Sequence, residues 1–384
     1  MNFDFSDEQE QLRDALRRWV DKSYTFERRR AIVKGGGFDT TAWEELAGLG
    51  LTGLMVPTAH GGLGFGPVDA MVVMEELGRG LVLEPFAAVA LVATQLLAEA
   101  RTPVAATWLQ RLAEGSTRVV LAQQERGTRY ELAHVRTRAE SSSDSSSGGQ
   151  WVLSGHKSLV PAGAHAGAFV VPARVRGEPD DPDGIGLFLV EAGSPGVATR
   201  PYALQDSSAA ADLSLARAAA IELLPPGEAF SALETAVDTG LAALCAEAVG
   251  VMDQLMAVTV EYMNTRKQFG ATLASFQALR HRVADMKMQL ELGRSMSYYA
   301  TLRLGDAPAQ RRRAVSQAKV QLGQSMRFVG QQAIQLHGGI GVTDEYIASH
   351  YFKRLTCIEL SFGDTLHHLG EVAGRMQDTA GVFA

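Results

Sequence analysis

Cysteine is nearly absent from this chain. Cys245 and Cys357 stand more than a hundred residues apart, which supplies neither a disulfide framework nor a metal-ligand spacing, so both read as small buried apolar residues of a reducing compartment. No metal site is expected. Long apolar runs are lacking too: none reaches the roughly 20 residues that a membrane-spanning helix needs. Positive charge is in deficit, with 36 Lys and Arg against 43 Asp and Glu and a net charge of −7, which leaves no counterion-release footprint for nucleic acid. The opening Met1-Asn2-Phe3-Asp4-Phe5 has no basic n-region and no apolar h-region, so it is not a signal peptide and a cytoplasmic location is expected.

What is present is a long chain of globular composition. At 384 residues, 46% hydrophobic and 21% charged, it exceeds one ordinary core and is expected to form two or three domains. Residues 1–118 read as helical: Ser6 with Gln9 makes a capping-box pattern, and Leu12, Leu16, Trp19 and Val20 follow on one helical face. Gly61-Gly62-Leu63-Gly64-Phe65-Gly66 invites comparison with a phosphate loop. A dinucleotide fingerprint needs a preceding strand, however, and the pattern here is helical and broken by Pro57, so a helix-to-helix connection is the better reading.

From Val119 the pattern turns to short β-branched and aromatic runs at 119–123, 135–139, 151–153, 168–171, 187–190 and 219–223, which suit an antiparallel sheet or small barrel. The Ser-rich 140–150 and the Pro/Asp-rich 177–184 read as loop tips. Helical periodicity returns from Gly227, with helices expected at 231–264 (roughly 50 Å at 1.5 Å per residue), 276–304, 310–336 and 345–376. The expected fold is therefore α+β: an N-terminal helical domain (1–118), a middle antiparallel β domain (119–226) and a C-terminal four-helix bundle (227–384). The basic runs Arg28-Arg29-Arg30 and Arg311-Arg312-Arg313 read as solvated helix faces.

Two motifs in the C-terminal part carry chemistry. Arg266-Lys267-Gln268-Phe269-Gly270 offers a planar cation suited to a pyrophosphate and a flat apolar ring; Gln335-x-x-Gly338-Gly339-x-Gly341 lets a backbone approach a ligand closely. With Phe276-Gln277, Ala284-Asp285-Met286, Ala333 and Glu345-Tyr346, this ordered set resembles the acyl-CoA dehydrogenase family over nearly the whole length. The resemblance implies a helical, β, helical subunit with FAD bound where subunits meet. It implies that Arg266, Gln268, Phe269 and Gln277 reach the pyrophosphate and adenosine of a neighbour's FAD, and that Gln335, Gly338 and Gly339 pack on the same cofactor. The implied chemistry is α,β-dehydrogenation of an acyl-CoA thioester: a carboxylate takes the α-proton, hydride passes to flavin, and an electron-transfer flavoprotein or similar acceptor reoxidises it.

The family's catalytic groups are missing. Where the family's base stands in a Tyr-Glu-Gly-Thr-like segment, this chain has Ser361-Phe362-Gly363-Asp364, so Phe362 takes the Glu position; the alternative base position falls on Gly240, and the adjoining substrate-pocket Arg on Leu241. Asp238 does match. The flavin-facing segments correspond to Leu159-Val160-Pro161 and 124–131, and Pro161 offers neither an N–H nor a hydroxyl. Glu247, two turns beyond Gly240 on the same face, and Asp364 are the fallback carboxylates. Residues used for the chain's own flavin are thus degraded, and those used for a neighbour's are retained. That asymmetry implies a subunit that completes the FAD site of a related catalytic chain, in a heterotetramer with two copies of each.

The run Tyr351-Phe352-Lys353-Arg354-Leu355-Thr356 and Phe362-Gly363-Asp364-x-x-His367-His368-Leu369 resembles the small subunits of bacterial two-subunit acyl-CoA dehydrogenases, including those named for pimeloyl-CoA and actinobacterial steroid side-chain enzymes. His367 and His368 point about 100° apart on a helix and form no metal pair, and His337 reads as a polar contact beside the glycines. The alternatives are a self-sufficient homomeric dehydrogenase with a displaced base and a non-enzymatic binding protein on the same scaffold. The acyl group stays open among steroid, dicarboxylic, branched and linear thioesters.

Overall fold

The structure, a computed structural model, describes residues 5–141 and 151–376. Most of the Ser-rich stretch read as a loop tip lies outside the described residues. The first helix, α1 (Asp7–Ser23), begins on the expected capping box: Gln9 N donates to Ser6 Oγ at 3.3 Å and Ser6 N to Gln9 Oε1 at 3.0 Å, and the helix buries Leu16 and Val20. Then come α2 (Phe26–Lys34), α3 (Thr40–Gly48), α4 (Pro67–Arg79), α5 (Thr94–Ala100), which continues a π-helical run at Ala87–Ala93, and α6 (Pro103–Ala113). The glycine run 61–66 connects helical segments, as expected. Gly61 and Gly64 have φ of +81° and +65°, and a Cβ on Gly62 would lie 2.1 Å from the Val56 carbonyl oxygen.

The central sheet comprises β1 (Val119–Leu121), β2 (Arg138–Ser141), β3 (Trp151–Pro161), β4 (Ala168–Arg174), β5 (Ile185–Glu191), β6 (Val197–Ala203) and β7 (Ala209–Leu224). It is mixed rather than purely antiparallel, because β4 takes β1 and the end of β2 as parallel neighbours. The order β1-β4-β2-β3-β7-β5 closes through β4–β5 pairing, so the strands form a barrel-like ring whose β4 and β5 are buried almost throughout. The sequence gives no sign of β6. It lies at an edge, pairs only with β7, carries Pro201 and is largely exposed, so it needs no apolar alternation.

The C-terminal helices are α7 (Ala229–Thr265), α8 (Gln277–Leu302), α9 (Pro308–His337), α10 (Ile347–Leu360) and α11 (Thr365–Gly374), with a two-strand hairpin, β8 (Lys267–Gln268) and β9 (Ala271–Thr272), between α7 and α8. The single helix expected at 345–376 is two, broken at an elbow where Phe362 and Gly363 have φ of +54° and +114°. Contrary to the sequence reading, α7 is long and apolar enough to cross a bilayer by length and composition. Its best stretch has a mean hydropathy of 1.6, and 78% of that stretch is buried inside the protein, as a core helix of a bundle requires.

The chain packs as two compact units, one from Met1–Ala31, Pro67–Val82 and Leu241–Ala384, the other from Ile32–Gly66 and Leu83–Gly240. Within the first, two arginines depart from the solvated faces expected of them: Arg29 and Arg311 are 2% and 6% exposed. Arg29 Nε donates to the Leu81 carbonyl at 3.0 Å and Nη1 to His350 Nδ1 at 3.1 Å. A guanidinium only donates, so His350 Nδ1 accepts and its Nε2–H is left to donate to the Asp344 carbonyl at 3.0 Å.

The same unit holds a buried acid with an unpartnered oxygen, Glu75 on α4, whose Oε1 has no hydrogen bond. Burial pushes its carboxyl up to about 7, against the pull of Arg294 and Arg13. The folded chain therefore keeps a proton that the unfolded chain has released between the ordinary carboxylate range and about pH 7. The stability this confers is complete at low pH and is lost as pH rises through 7. Glu75→Gln is expected to gain up to about 3 kcal/mol over the native chain at pH 8 and little at pH 4.5. Thermal denaturation of both chains at the two pH values checks this; a gain independent of pH contradicts it.

Candidate functional site

The first motif folds into a displayed hairpin. α7 stops where Arg266 N donates to the Tyr262 carbonyl at 2.8 Å, and Lys267 and Gln268 pair with Thr272 and Ala271 across a two-residue turn. Both turn residues, Phe269 and Gly270, are left-handed, with φ of +52° and +77°, the geometry that matches strand twist in tight hairpins. Glycine takes this conformation freely; an L-residue does so at a cost of about 1–2 kcal/mol. The chain thus accepts strain to hold an aromatic ring at the tip, where Phe269 is 94% exposed and meets Phe276 edge-on at 6.3 Å between centroids. Arg266, Gln268 and Gln277 are exposed beside it, and Arg266 makes no ion pair among the described residues.

The second motif lies at the end of α9. Gly338, at φ +63° and ψ −141°, adopts a conformation closed to other residues, and a Cβ at Gly338 or Gly339 would meet nothing within 4 Å. Gln335, Gly338 and Gly339 are all exposed. The structure brings the two motifs together through residues that the sequence reading did not assign to the site. Tyr262 Oη donates to the His337 carbonyl at 3.2 Å, their rings lie 4.6 Å apart, and Tyr346 sits 5.1 Å from His337. Tyr262 could have been found, since it stands one helical turn before Arg266. His337 donates through Nδ1 to the Ala333 carbonyl at 2.8 Å, and burial holds its pKa below the ordinary value, so it is a neutral packing group.

A guanidinium with no ion pair among the described residues, an exposed flat ring and an open glycine turn suit the phosphate and adenosine end of a dinucleotide. They offer nothing to the ring that accepts hydride.

The positions at which the sequence reading looked for a base are occupied by groups with structural roles. At the elbow, the three N–H groups of the buried Lys319 ammonium are shared among the carbonyls of Ile358, Glu359, Ser361 and Gly363, which lie 2.7–3.1 Å from Nζ, and His368 Nε2 lies 3.1 Å from the Phe362 carbonyl oxygen. Burial lowers Lys319 to about 8 despite Cys245, Glu359 and Asp364 nearby. The backbone geometry of the elbow is thus held in full, while the side chain at its apex is Phe362. Asp364 is the cap of α11, accepting from His367 N at 2.8 Å. Glu247 is 5% exposed, and both its oxygens are held by Arg354, from Nε at 2.5 Å and Nη2 at 2.7 Å. Gly240 is buried within α7.

The segments matched to the flavin face are likewise engaged. Glu125 accepts from Lys157 Nζ at 2.7 Å, Thr137 Oγ1 at 2.7 Å, Thr137 N at 3.0 Å and Arg136 N at 2.9 Å. Burial alone would raise its pKa, but the Lys157 charge and these bonds hold it below the usual carboxylate range. Leu159, left-handed at φ +52°, donates its N–H to Tyr202 Oη at 3.1 Å and Asp212 Oδ1 at 3.4 Å; Tyr202 and Arg200 also bond Asp212.

Comparison with known proteins agrees with this architecture. The family models for the acyl-CoA dehydrogenase N-terminal, middle and C-terminal domains match residues 6–116, 121–216 and 230–377. The chain is 27% identical over 372 residues to the probable acyl-CoA dehydrogenase YngJ of Bacillus subtilis, covering 94% of this chain and 96% of that one. It is 28% identical over 331 residues to the acyl-CoA dehydrogenase IpdE2 of Mycobacterium tuberculosis, covering 85% and 83%. Among solved structures, a chain of a Tcur3481-Tcur3483 steroid ACAD variant superposes with a TM-score of 0.87 at 30% identity, covering 98% of this chain and 99% of that one. A chain of the ChsE4-ChsE5 complex from Mycobacterium tuberculosis does so with a TM-score of 0.87 at 25% identity, covering 99% and 100%. The fold and the paired motifs define a subunit built like a flavin-dependent acyl-thioester oxidoreductase. The chain belongs to the acyl-CoA dehydrogenase family.

Proposed function

We propose that this chain is the non-catalytic subunit of a heteromeric FAD-dependent acyl-CoA dehydrogenase, in which it completes the FAD site of a related catalytic chain. The observation that carries this reading is the hairpin: an aromatic ring is held at a strained turn, 94% exposed, beside an arginine that makes no ion pair among the described residues. Bound FAD would supply the acceptor for the β-hydride. Arg266 would neutralise its pyrophosphate, Gln268 and Gln277 would bond the adenosine side, Phe269 would cover it, and Gln335, Gly338 and Gly339 would let the backbone close on it. The α-proton would be removed by a carboxylate of the catalytic chain, because Phe362 accepts none and Glu247 and Asp364 are already engaged.

The assembly would hold two copies of each chain, take an acyl-CoA, and pass electrons to an electron-transfer flavoprotein or similar acceptor. The similarity to a chain of the Tcur3481-Tcur3483 steroid ACAD and to a chain of the ChsE4-ChsE5 complex supports a two-chain enzyme, and the first of these supports a bulky acyl group. The domain division 1–118, 119–226 and 227–384 is part of the same proposal. The test is expression of this chain alone and together with a related acyl-CoA dehydrogenase chain that retains the catalytic Glu. Alone it is expected to bind little FAD and to oxidise no acyl-CoA, with both properties appearing in the co-purified complex. A yellow, active homomer from this chain alone contradicts the reading.

A further inference from the structure

The hairpin and the glycine turn are separated by about seventy residues, and the tip of each is exposed, so neither is held in place by packing at the point where it would meet a ligand. What holds them lies one layer below. The Tyr262 backbone carries the hairpin, since its carbonyl accepts from Arg266 N at 2.8 Å and the Arg266 carbonyl in turn accepts from Leu273 N at 2.9 Å. The Tyr262 side chain carries the glycine turn, since its hydroxyl donates to the carbonyl of His337, the last residue of α9 before Gly338. That carbonyl is one of the acceptors that a helix end leaves without an intrahelical partner.

His337 transmits this link further. Its ring lies tilted by 31° against Tyr262 and 5.1 Å from that of Tyr346, the two tyrosine rings are themselves 6.1 Å apart, and a Cβ on Gly341 would come within 2.8 Å of the His337 Cβ. With Nδ1 spent on Ala333, its Nε2 is buried with no partner. A buried acceptor left unmade costs about 1–3 kcal/mol. The imidazole therefore contributes at this place through its ring faces and its backbone.

We infer that Tyr262, His337 and Tyr346 are positioning residues that tie the hairpin and the glycine turn into one jaw, so that the two arms close on FAD as a unit. This rests on the subunit reading above for its ligand but not for its mechanics. Two arms ordered independently would each lose conformational freedom on binding; arms fixed to one another lose less, and the ligand is held correspondingly tighter.

The test reads both arms after changing one. Hydrogen–deuterium exchange is measured on the full-length chain, native and Tyr262→Phe, a change that deletes the hydroxyl and keeps the ring. Exchange is expected to rise at 338–342, on the arm that was not mutated, and the co-expressed complex is expected to release FAD roughly tenfold faster, the equivalent of one lost hydrogen bond. Tyr346→Leu, made at the third ring of the cluster and beyond the glycine turn in the chain, is expected to raise exchange in 267–272. Exchange that changes only next to the substituted residue in both variants overturns the inference, whatever the FAD result. If the arms loosen together and no complex holds FAD, the jaw stands and the subunit reading falls.

Discussion

Phe269→Gly is expected to make the isolated chain slightly more stable and the assembled enzyme much poorer in FAD. The two effects have opposite signs because the residue acts in opposite ways. Glycine takes the left-handed φ of +52° without the steric cost that phenylalanine bears, and after allowance for its greater freedom in the unfolded chain the gain is up to about 1 kcal/mol. Little packing is lost in return, since the ring is 94% exposed and its ring contact is a T-shaped one with Phe276 at 6.3 Å. In the proposed complex the same change would remove the surface assigned to cover the cofactor. Arg266→Ala is expected to act more strongly on FAD and not at all on the chain alone. Its guanidinium makes no ion pair within the fold, whereas a charge-assisted bond to a pyrophosphate is worth about 1.5–3 kcal/mol, or roughly 10- to 100-fold in retention. Thermal denaturation of the single chain and the flavin content of the purified complex measure both quantities. A complex that keeps its FAD through both substitutions contradicts the assignment of this hairpin.

The large features of the fold were legible because they rest on local pattern. The capping box at Ser6, the helical stripes of the bundle and most strands follow from apolar spacing and turn residues. What was not legible depends on partners distant in sequence. Near position 362 only Gly363 and the capping Asp364 mark a break in the last helix; the geometry of the elbow depends on Lys319, some forty residues earlier, whose Nζ lies within 3.1 Å of four of its carbonyls, while His368 approaches a fifth. Arg29 sits in a run of three arginines that reads as a solvated face, and only the positions of Leu81 and His350 show why it is inside. β6 hides because an edge strand carrying a proline needs no alternation. The candidate site divides in the same way. Its ligand-facing residues carry a motif in the chain, whereas the tyrosines and histidine beneath them are ordinary apolar-face residues until the ends of α7 and α9 are seen to meet.

Glu247 is the sharpest case, because the sequence offers it as a displaced base and the structure gives it a different occupation. Its side chain is 6% exposed and its two oxygens face Nε and Nη2 of Arg354 in a paired, fork-like arrangement. The backbone around it has no slack: a Cβ on Gly78 would lie 2.3 Å from the Glu247 carbonyl oxygen, so α4 and α7 are in contact here. Arg354→Met is therefore expected to destabilise the chain by about 3–5 kcal/mol, since it strands a carboxylate that cannot reach water. Glu247→Gln keeps the shape and one acceptor, and is expected to cost less. In the assembled enzyme, Glu247→Gln should leave reduction of the flavin by acyl-CoA unchanged, because both oxygens of this buried carboxylate are already taken by Arg354 Nε and Nη2. Denaturation midpoints of the two variants and stopped-flow bleaching of the flavin separate the roles. Loss of bleaching at an unchanged midpoint would show Glu247 to be the base and this chain to be catalytic; loss of stability with bleaching intact is the result that the Arg354 pair predicts.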